Sequence, residues 1–468
     1  MKCLVSLFVL LSFSSSAQPA GYLVDPPKVD HRVELLSIVF RLAEAEEYSG
    51  TSFKMYTDRI ERHFRPYQDH ELIQLVKKIR NDHGVGYDAV MSMAICIDTQ
   101  LNPLVPFTDE QPDKRWGKKN AEAFVKQLKQ FYKDAACEAF FEQNKDLYAE
   151  VSQRFLPVYE KLDLKWYSSF YGKAPSEKFI IVNGVGNGGG NFGPSITYAD
   201  QHRDVYAIMG TWSVDDKGMA LFDVRNYFPT LLHEFNHSFV NALLPAVKNE
   251  LKASGEKLYA AVKEEMKRQA YGNWETMLNE ALVRAAVIKY MKDHNFDREE
   301  IANEVSQQMD RGFVWINELV AELEKYDQQR NSYTTLQAYM PRLAAAYKEY
   351  AGNIENYRKE YERKKPKVIA IAEFENGSKK VSATIKTITV KFDRPLLGKG
   401  KSISLGKKGR DAVPNFGEIT YSEDRQSVII EVDLVSNKEY EFVLTGRAFK
   451  SVEWMPMNDY TISFETLP

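Results

Sequence analysis

The chain has 468 residues, 62 Lys and Arg against 65 Asp and Glu, a formal charge of −3 at pH 7 and 44% hydrophobic residues. That length exceeds what one hydrophobic core usually serves, so more than one folding unit is expected. The balanced charge leaves no polyanion-binding footprint, which argues against a nucleic-acid partner, and no stretch reaches the roughly 18 apolar residues that membrane insertion needs.

At the N-terminus, Lys2 is followed by the apolar run Cys3 to Phe13 and then by Ser15-Ser16-Ala17. This is the pattern of a secretory signal over residues 1–17, with cleavage after Ala17. Cys3 stands at the front of the apolar run, not at its end, so a lipid anchor is not indicated. Export leaves Cys96 and Cys137 as the remaining cysteines. In an oxidising compartment they read as one disulfide, with two buried free thiols as the alternative.

Residues 18–175 read as a helical region, with apolar periodicity in Val33 to Leu42 and Ala121 to Phe155. His31, His63, His70 and His83 are scattered through it and none stands at ligand spacing. Lys178 to Asn183 and Asp204 to Ser213 then read as strands, the second followed by the turn Asp215-Asp216-Lys217-Gly218. Between them lies Gly184-Val-Gly-Asn-Gly-Gly-Gly-Asn-Phe-Gly193. No Gly-Lys-Ser/Thr follows it, so it reads as a connection, or as a mobile loop over a cleft, and not as a phosphate loop.

Tyr227 to Leu244 reads as a buried helix with an apolar stripe at Leu232, Phe235, Phe239 and Leu243. Pro229 fits its first turn and Asn226 its N-cap. The helix carries His233-Glu234-Phe235-Asn236-His237. Positions i and i+4 share one face of a helix, so both imidazoles can reach one Zn²⁺ while Glu234, one step around, faces the attacking water. A catalytic zinc takes three protein ligands. Val240 and Leu243 occupy the places where a metzincin has Gly and His, which excludes that class. The stretch that follows lacks Asp and His as far as Lys292, so a nearby third ligand is one of Glu250, Glu256, Glu264, Glu265, Glu275 and Glu280. Glu280 is favoured because it lies in a largely apolar helix, where a carboxylate needs a cation to offset its desolvation. Its other explanation is an i,i+4 ion pair with Arg284.

His-Glu-Phe-Asn-His followed by Asn279-Glu280-Ala-Leu-Val resembles the gluzincin clan of metallopeptidases over residues 178–295. In that clan a Glu from an Asn-Glu pair on a later helix completes the site. Here Glu280 stands 43 positions after His237, longer than in compact members, and Arg284 replaces the acid that often supports a zinc histidine. From Asp30-His31-Arg32 to about residue 350, with Tyr87-Asp-Ala-Val and Gly188-Gly-Gly-Asn-Phe-Gly193, the chain also resembles a family of secreted bacterial proteins described only as a domain of unknown function, whose members are predicted peptidases. The resemblances imply one Zn²⁺ per chain held by His233, His237 and Glu280, with Glu234 as general base. Tyr271 and Arg284 are the nearest candidates for stabilising the oxyanion.

A charged stretch, Asn353 to Lys367, marks a boundary, after which the hydrophobic period becomes two. Residues 367–468 therefore read as a β-sandwich. Val390-Lys-Phe-Asp-Arg-Pro, Tyr421-Ser-Glu-Asp and Ser463-Phe-Glu-Thr resemble bacterial Ig-like modules attached to secreted enzymes.

The expected fold class is α+β: a helical N-terminal region over 18–175, a zincin-like catalytic domain over 176–355, and an Ig-like sandwich. The expected function is a zinc-dependent hydrolase acting on a peptide or protein, in the periplasm or at the outer surface of a bacterium. The C-terminal module is a candidate for glycan or cell-surface contact. The alternative is a catalytically inactive surface protein on a zincin scaffold that binds glycan or protein.

Overall fold

The computed structural model describes residues 24–173 and 177–468, and the expected signal sequence lies outside them. The fold is α+β. Its contacts divide the chain into two compact units, 1–238 and 239–468.

The first unit begins with strand β1 (Asp25–Lys28) and eight helices, α1 (His31–Leu42), α2 (Lys54–Phe64), α3 (Glu71–His83), α4 (Asp88–Ile95), α5 (Gly117–Asp134), α6 (Cys137–Gln143), α7 (Lys145–Tyr159) and α8 (Leu164–Tyr171). It continues through β2 (Lys178–Gly184), β3 (Ser195–Thr197) and β4 (Arg203–Gly210) into α9 (Val224–Val240). Several helix starts follow from their capping residues. Asp30 accepts from the Arg32 N–H, Asp163 from the Lys165 N–H, and His70 caps α3 through Nδ1 on the Leu72 N–H. The four strands form one sheet in the order β1-β2-β4-β3, with β1, β2 and β4 parallel and β3 antiparallel at the edge. Seven of the eight residues of β4 are buried, as expected of a parallel strand covered on both faces. The sequence had not revealed β1, whose Pro26-Pro27 is tolerated because the strand lies at the other edge.

Helix α9 starts earlier than expected. The Asp223 carboxylate accepts the Arg225 N–H at 2.9 Å, so Asn226 is already helical and Pro229 is the sixth residue of the helix, outside its first turn. The cysteines correct a second expectation, since Cys96 and Cys137 are free. Cys96 follows α4, which packs on α1, whereas Cys137 opens α6, which packs on α5 and α7. Burial pushes each thiol up to about 12, which suits an inert core residue.

The second unit holds α10 (Lys248–Ala261), α11 (Lys263–Arg268), α12 (Trp274–Asp293), α13 (Arg298–Asp310), α14 (Ile316–Gln328) and α15 (Leu336–Lys364). Helix α12 packs on α10, α13 and α14, and α15 packs on α10 and α14. Strands β5 (Val368–Ile371), β6 (Thr387–Phe392), β7 (Ile403–Leu405), β8 (Asn415–Tyr421), β9 (Ser427–Asp433), β10 (Glu439–Leu444) and β11 (Tyr460–Glu465) follow. They form two antiparallel sheets, β5-β6-β9-β8 and β11-β10-β7. Alternate residues of both, among them Ile388, Val390, Val428, Ile430, Phe442 and Phe464, meet in one core. The sheets are tied to the helices of their own unit. Ser306 Oγ donates to the Trp454 carbonyl at 2.6 Å, Lys450 Nζ reaches Asn303 and Lys365 Nζ reaches Asn458.

The glycine-rich run between β2 and β3 is a close-packed connection. The wholly buried Glu34 carboxylate of α1 accepts the N–H groups of Val185 at 2.7 Å and Gly186 at 3.0 Å. Gly188 and Gly189 have φ of 72° and 90°, and a Cβ on Gly210 would collide with the backbone of Gly189 and Gly190. Desolvation raises the Glu34 carboxyl to about 8, against the pull of the two N–H donors and Tyr56. A carboxyl near 4.5 when unfolded and about 8 when folded binds more protons in the native state between those values. Its contribution to stability therefore declines as pH rises from 5 to 8, by at most about 1.4 kcal/mol per pH unit. Urea unfolding of the wild type and Glu34→Gln across that range measures this. The wild type should lose stability relative to the variant as pH rises, and a constant difference would mean that Glu34 is charged inside the fold.

Candidate metal centre

Helix α9 is held by its apolar and aromatic side chains. Phe235 packs edge-on against Phe179 of β2, with ring centroids 4.7 Å apart. Tyr227 stacks on Trp212 just beyond β4 at 3.5 Å, and its hydroxyl accepts the Trp212 N–H. The buried Asn236 accepts a hydrogen bond from the Tyr171 hydroxyl of α8 at 3.0 Å. Phe235 and Asn236 face inward, which turns the neighbouring His233, Glu234 and His237 to half-buried positions.

On that face His233 Nε2 and His237 Nε2 stand 3.2 Å apart, with the rings nearly perpendicular. Donors bonded to one tetrahedral Zn²⁺ at 2.0–2.1 Å are separated by roughly 3.3 Å, so the imidazole pair already has the spacing that a shared ion requires. A carboxylate oxygen of Glu280 completes the set, with the three ligand atoms within 4.8 Å of one another. Two imidazoles and a carboxylate are the donor types of a catalytic zinc site.

The Gly193 backbone lies against Glu234, since a Cβ built there would stand 2.5 Å from Glu234 Oε2. The last glycine of the run therefore leaves the carboxylate its place. Sequence reading had marked this run only as a loop, and nothing in the pattern linked Gly193 to Glu234.

Within α12 and its neighbours, Glu280 Oε2 accepts from the Tyr271 hydroxyl at 2.9 Å and from Arg284 at 3.0 Å. Arg284 is itself buried, donates to the Tyr271 hydroxyl and to Gln308 Oε1 of α13, and lies over the Phe313 ring. Gln308 in turn donates to the half-buried Glu304. Desolvation by burial raises Tyr271 to about 12, which keeps the phenol a donor. The two residues expected near the oxyanion thus engage the proposed ligand, and the i,i+4 pair of Glu280 with Arg284 coexists with the cluster. Gln308, 24 positions beyond Arg284, gave no signal in the sequence.

Of the other acidic candidates, Glu275 pairs with Lys248 and Glu264 with Lys267. Glu250, Glu256 and Glu265 do not belong to the cluster of ligand atoms. No described helix is long and apolar enough to cross a membrane.

No curated protein matches the sequence. Among solved structures, the S-layer protein rSbsC(31-844) is 15% identical at a TM-score of 0.17, covering 84% of this chain and 46% of that one. The surface layer protein SbsC, domains 1-6, is 14% identical at a TM-score of 0.18, covering 84% and 45%. The chain spans about half the length of these proteins, and such scores establish no common fold. One family model matches residues 112–346, half of the chain, and includes every residue of the metal cluster. The chain belongs to the family described as Domain of unknown function (DUF4932).

Proposed function

We propose that this protein is a secreted zinc-dependent hydrolase of the gluzincin kind, most readily a peptidase, with an Ig-like C-terminal module. The observation that carries this reading is the pair of histidine nitrogens 3.2 Å apart, with a Glu280 oxygen in the same cluster. Zn²⁺ bound by these donors supplies a Lewis acid and makes a nucleophilic water available near neutral pH.

The chain's own groups then have distinct tasks. His233, His237 and Glu280 would hold the ion. Tyr271 and Arg284 fix the orientation of that carboxylate with two donors on one oxygen. Glu234 is next to the histidines and takes the proton of the water that attacks the carbonyl carbon, then passes it to the departing amine nitrogen. Gly193 keeps that carboxylate in position. Strand β3 is an edge of its sheet, which supports main-chain pairing with an extended peptide. The balanced overall charge supports no nucleic-acid role.

Glu234→Gln should retain zinc and lose about 10²–10⁴ in turnover of a peptide library, the range expected for a general base. Unchanged turnover would favour a binding role for the scaffold. Glu280→Ala should lower zinc affinity in competition with a chelator, and wild-type affinity in that variant would remove Glu280 from the ligand set.

Gly193→Ala separates position from folding. The atom in its way is the end of a flexible side chain, and the Gly193 backbone has no positive φ, so stability should change by less than about 1 kcal/mol. Turnover should nevertheless fall by roughly 10², the scale of a 1 Å misplacement, with zinc content unchanged. An equal loss of zinc or of thermal stability would assign Gly193 a purely structural part.

A further inference from the structure

Helix α13 is held in place by little apolar surface. Of its 13 residues Ser306, Gln308 and Met309 are buried, where a helix of a globular unit usually presents a full apolar stripe. Its position therefore depends on its polar contacts. At 3.6 residues per turn the pairs Asn303/Ser306 and Glu304/Gln308 point about 150° apart, to opposite sides of the helix.

The first side faces the C-terminal sheets. Ser306 Oγ donates to the Trp454 carbonyl at 2.6 Å, and Asn303 Oδ1 accepts from Lys450 Nζ at 2.9 Å. At the exposed start of the helix Glu299 pairs with Lys399 at 2.8 Å. Trp454 sits in a tight turn, closed by its N–H on the Ser451 carbonyl at 2.8 Å and by the Ser451 N–H on the Met455 carbonyl at 2.9 Å. Its φ is 67°, a left-handed conformation that a bulky side chain rarely adopts. Such a conformation persists only where the surroundings fix it. Here the ammonium groups of Lys399 and Lys450 lie 5.6 and 5.4 Å from the centre of the indole, and the same two lysines reach α13. The strained residue is thus locked by the cations that hold the helix, with its carbonyl aimed at Ser306.

The other side of α13 faces the proposed metal ligand. Gln308 Oε1 accepts from Arg284 at 2.9 Å, while its amide donates to Glu304, and Arg284 donates to Glu280 Oε2 at 3.0 Å. A shift of α13 therefore moves the group that holds Arg284. A displaced guanidinium then changes both the hydrogen bond and the charge on the Glu280 carboxylate.

We propose that the C-terminal sheets are a positioning element of the metal centre, which rests on Glu280 being a ligand: the turn around Trp454 fixes α13, and α13, through Gln308, fixes the arginine that orients the Glu280 carboxylate. Asn303, Ser306 and Gln308 are the positioning residues. The sheets in this way belong to the site and are not merely appended to it.

Zinc affinity of the full chain, by competition with a chelator, tests this beside hydrogen–deuterium exchange of the same proteins without metal. Ser306→Ala and Asn303→Leu should each weaken zinc binding roughly three- to tenfold, the scale of coupling through a packed network, and should speed amide exchange in α13. Asn303→Asp keeps an acceptor for Lys450 and should restore wild-type affinity. Gln308→Met should cost roughly tenfold or more, as loss of a group supporting a ligand does. Adding Asn303→Leu to Gln308→Met should bring no further loss, because the link is already cut. Lys386→Ala, which breaks an exposed pair with Asp433, should leave affinity unchanged. If Ser306→Ala fails to fold, the variants of the half-buried Asn303 decide, alone and with Gln308→Met. Wild-type affinity in the Ser306 and Asn303 variants, additive losses in the double variant, or an equal loss in Lys386→Ala would overturn the proposal. A wild type that takes up no zinc would instead overturn the metal reading, and α13 exchange unchanged by the variants would remove the sheets' hold on the helix as well.

Discussion

Two imidazole nitrogens 3.2 Å apart on successive turns of α9 impose the constraint from which the site follows. Facing lone pairs repel, so the pair needs either a proton or a shared cation between them. Everything around α9 serves to hold that relation. The ring of Phe235 on Phe179, Tyr227 on Trp212 and the Asn236–Tyr171 hydrogen bond fix the helix to the sheet and to α8. A helix fixed by its inward residues has no freedom to turn its polar face, so the positions of His233, Glu234 and His237 follow from the packing of their neighbours.

The same logic explains why charge is placed where it is. Glu280 lies in a helix that is buried along most of its length, and its oxygen is held by two donors, one of them a buried arginine. Arg284 is in turn supported by Gln308, which reaches Glu304, so the Glu280 carboxylate ends a chain of hydrogen bonds running into α13. Such networks are stable when each member is satisfied, and they orient ligands more stiffly than a single contact does. In the first unit, Glu34 performs a comparable task for backbone. It secures Val185 and Gly186, which begin the glycine run that ends against Glu234.

Much of this was legible in the sequence where a short period or a fixed spacing carries the information. The i,i+4 histidines, the apolar stripe of Leu232 and Phe235, and the alternation in Thr387 to Phe392 and Ser427 to Val432 all express local geometry. The start of α9 was misread because Asp223 outcompetes Asn226 as a cap, and both residues suit that position. The cysteines were misread because a pair of exported thiols carries no record of which helices they pack on. The i,i+4 pair of Glu280 with Arg284 was legible, whereas Tyr271 was picked out by proximity but given a different task, since its contact with Glu280 depends on how the chain returns after α11. Gly193 and Gln308 were out of reach for the same reason: their partners are 41 and 24 positions away, beyond any local pattern.

X-ray absorption at the zinc edge of the purified protein tests the central claim most directly. The account predicts a full complement of about one zinc per chain, with two imidazole nitrogens at roughly 2.0–2.1 Å, further light-atom donors and no sulfur. A sulfur shell near 2.3 Å, a single imidazole, or protein that takes up no zinc would contradict it.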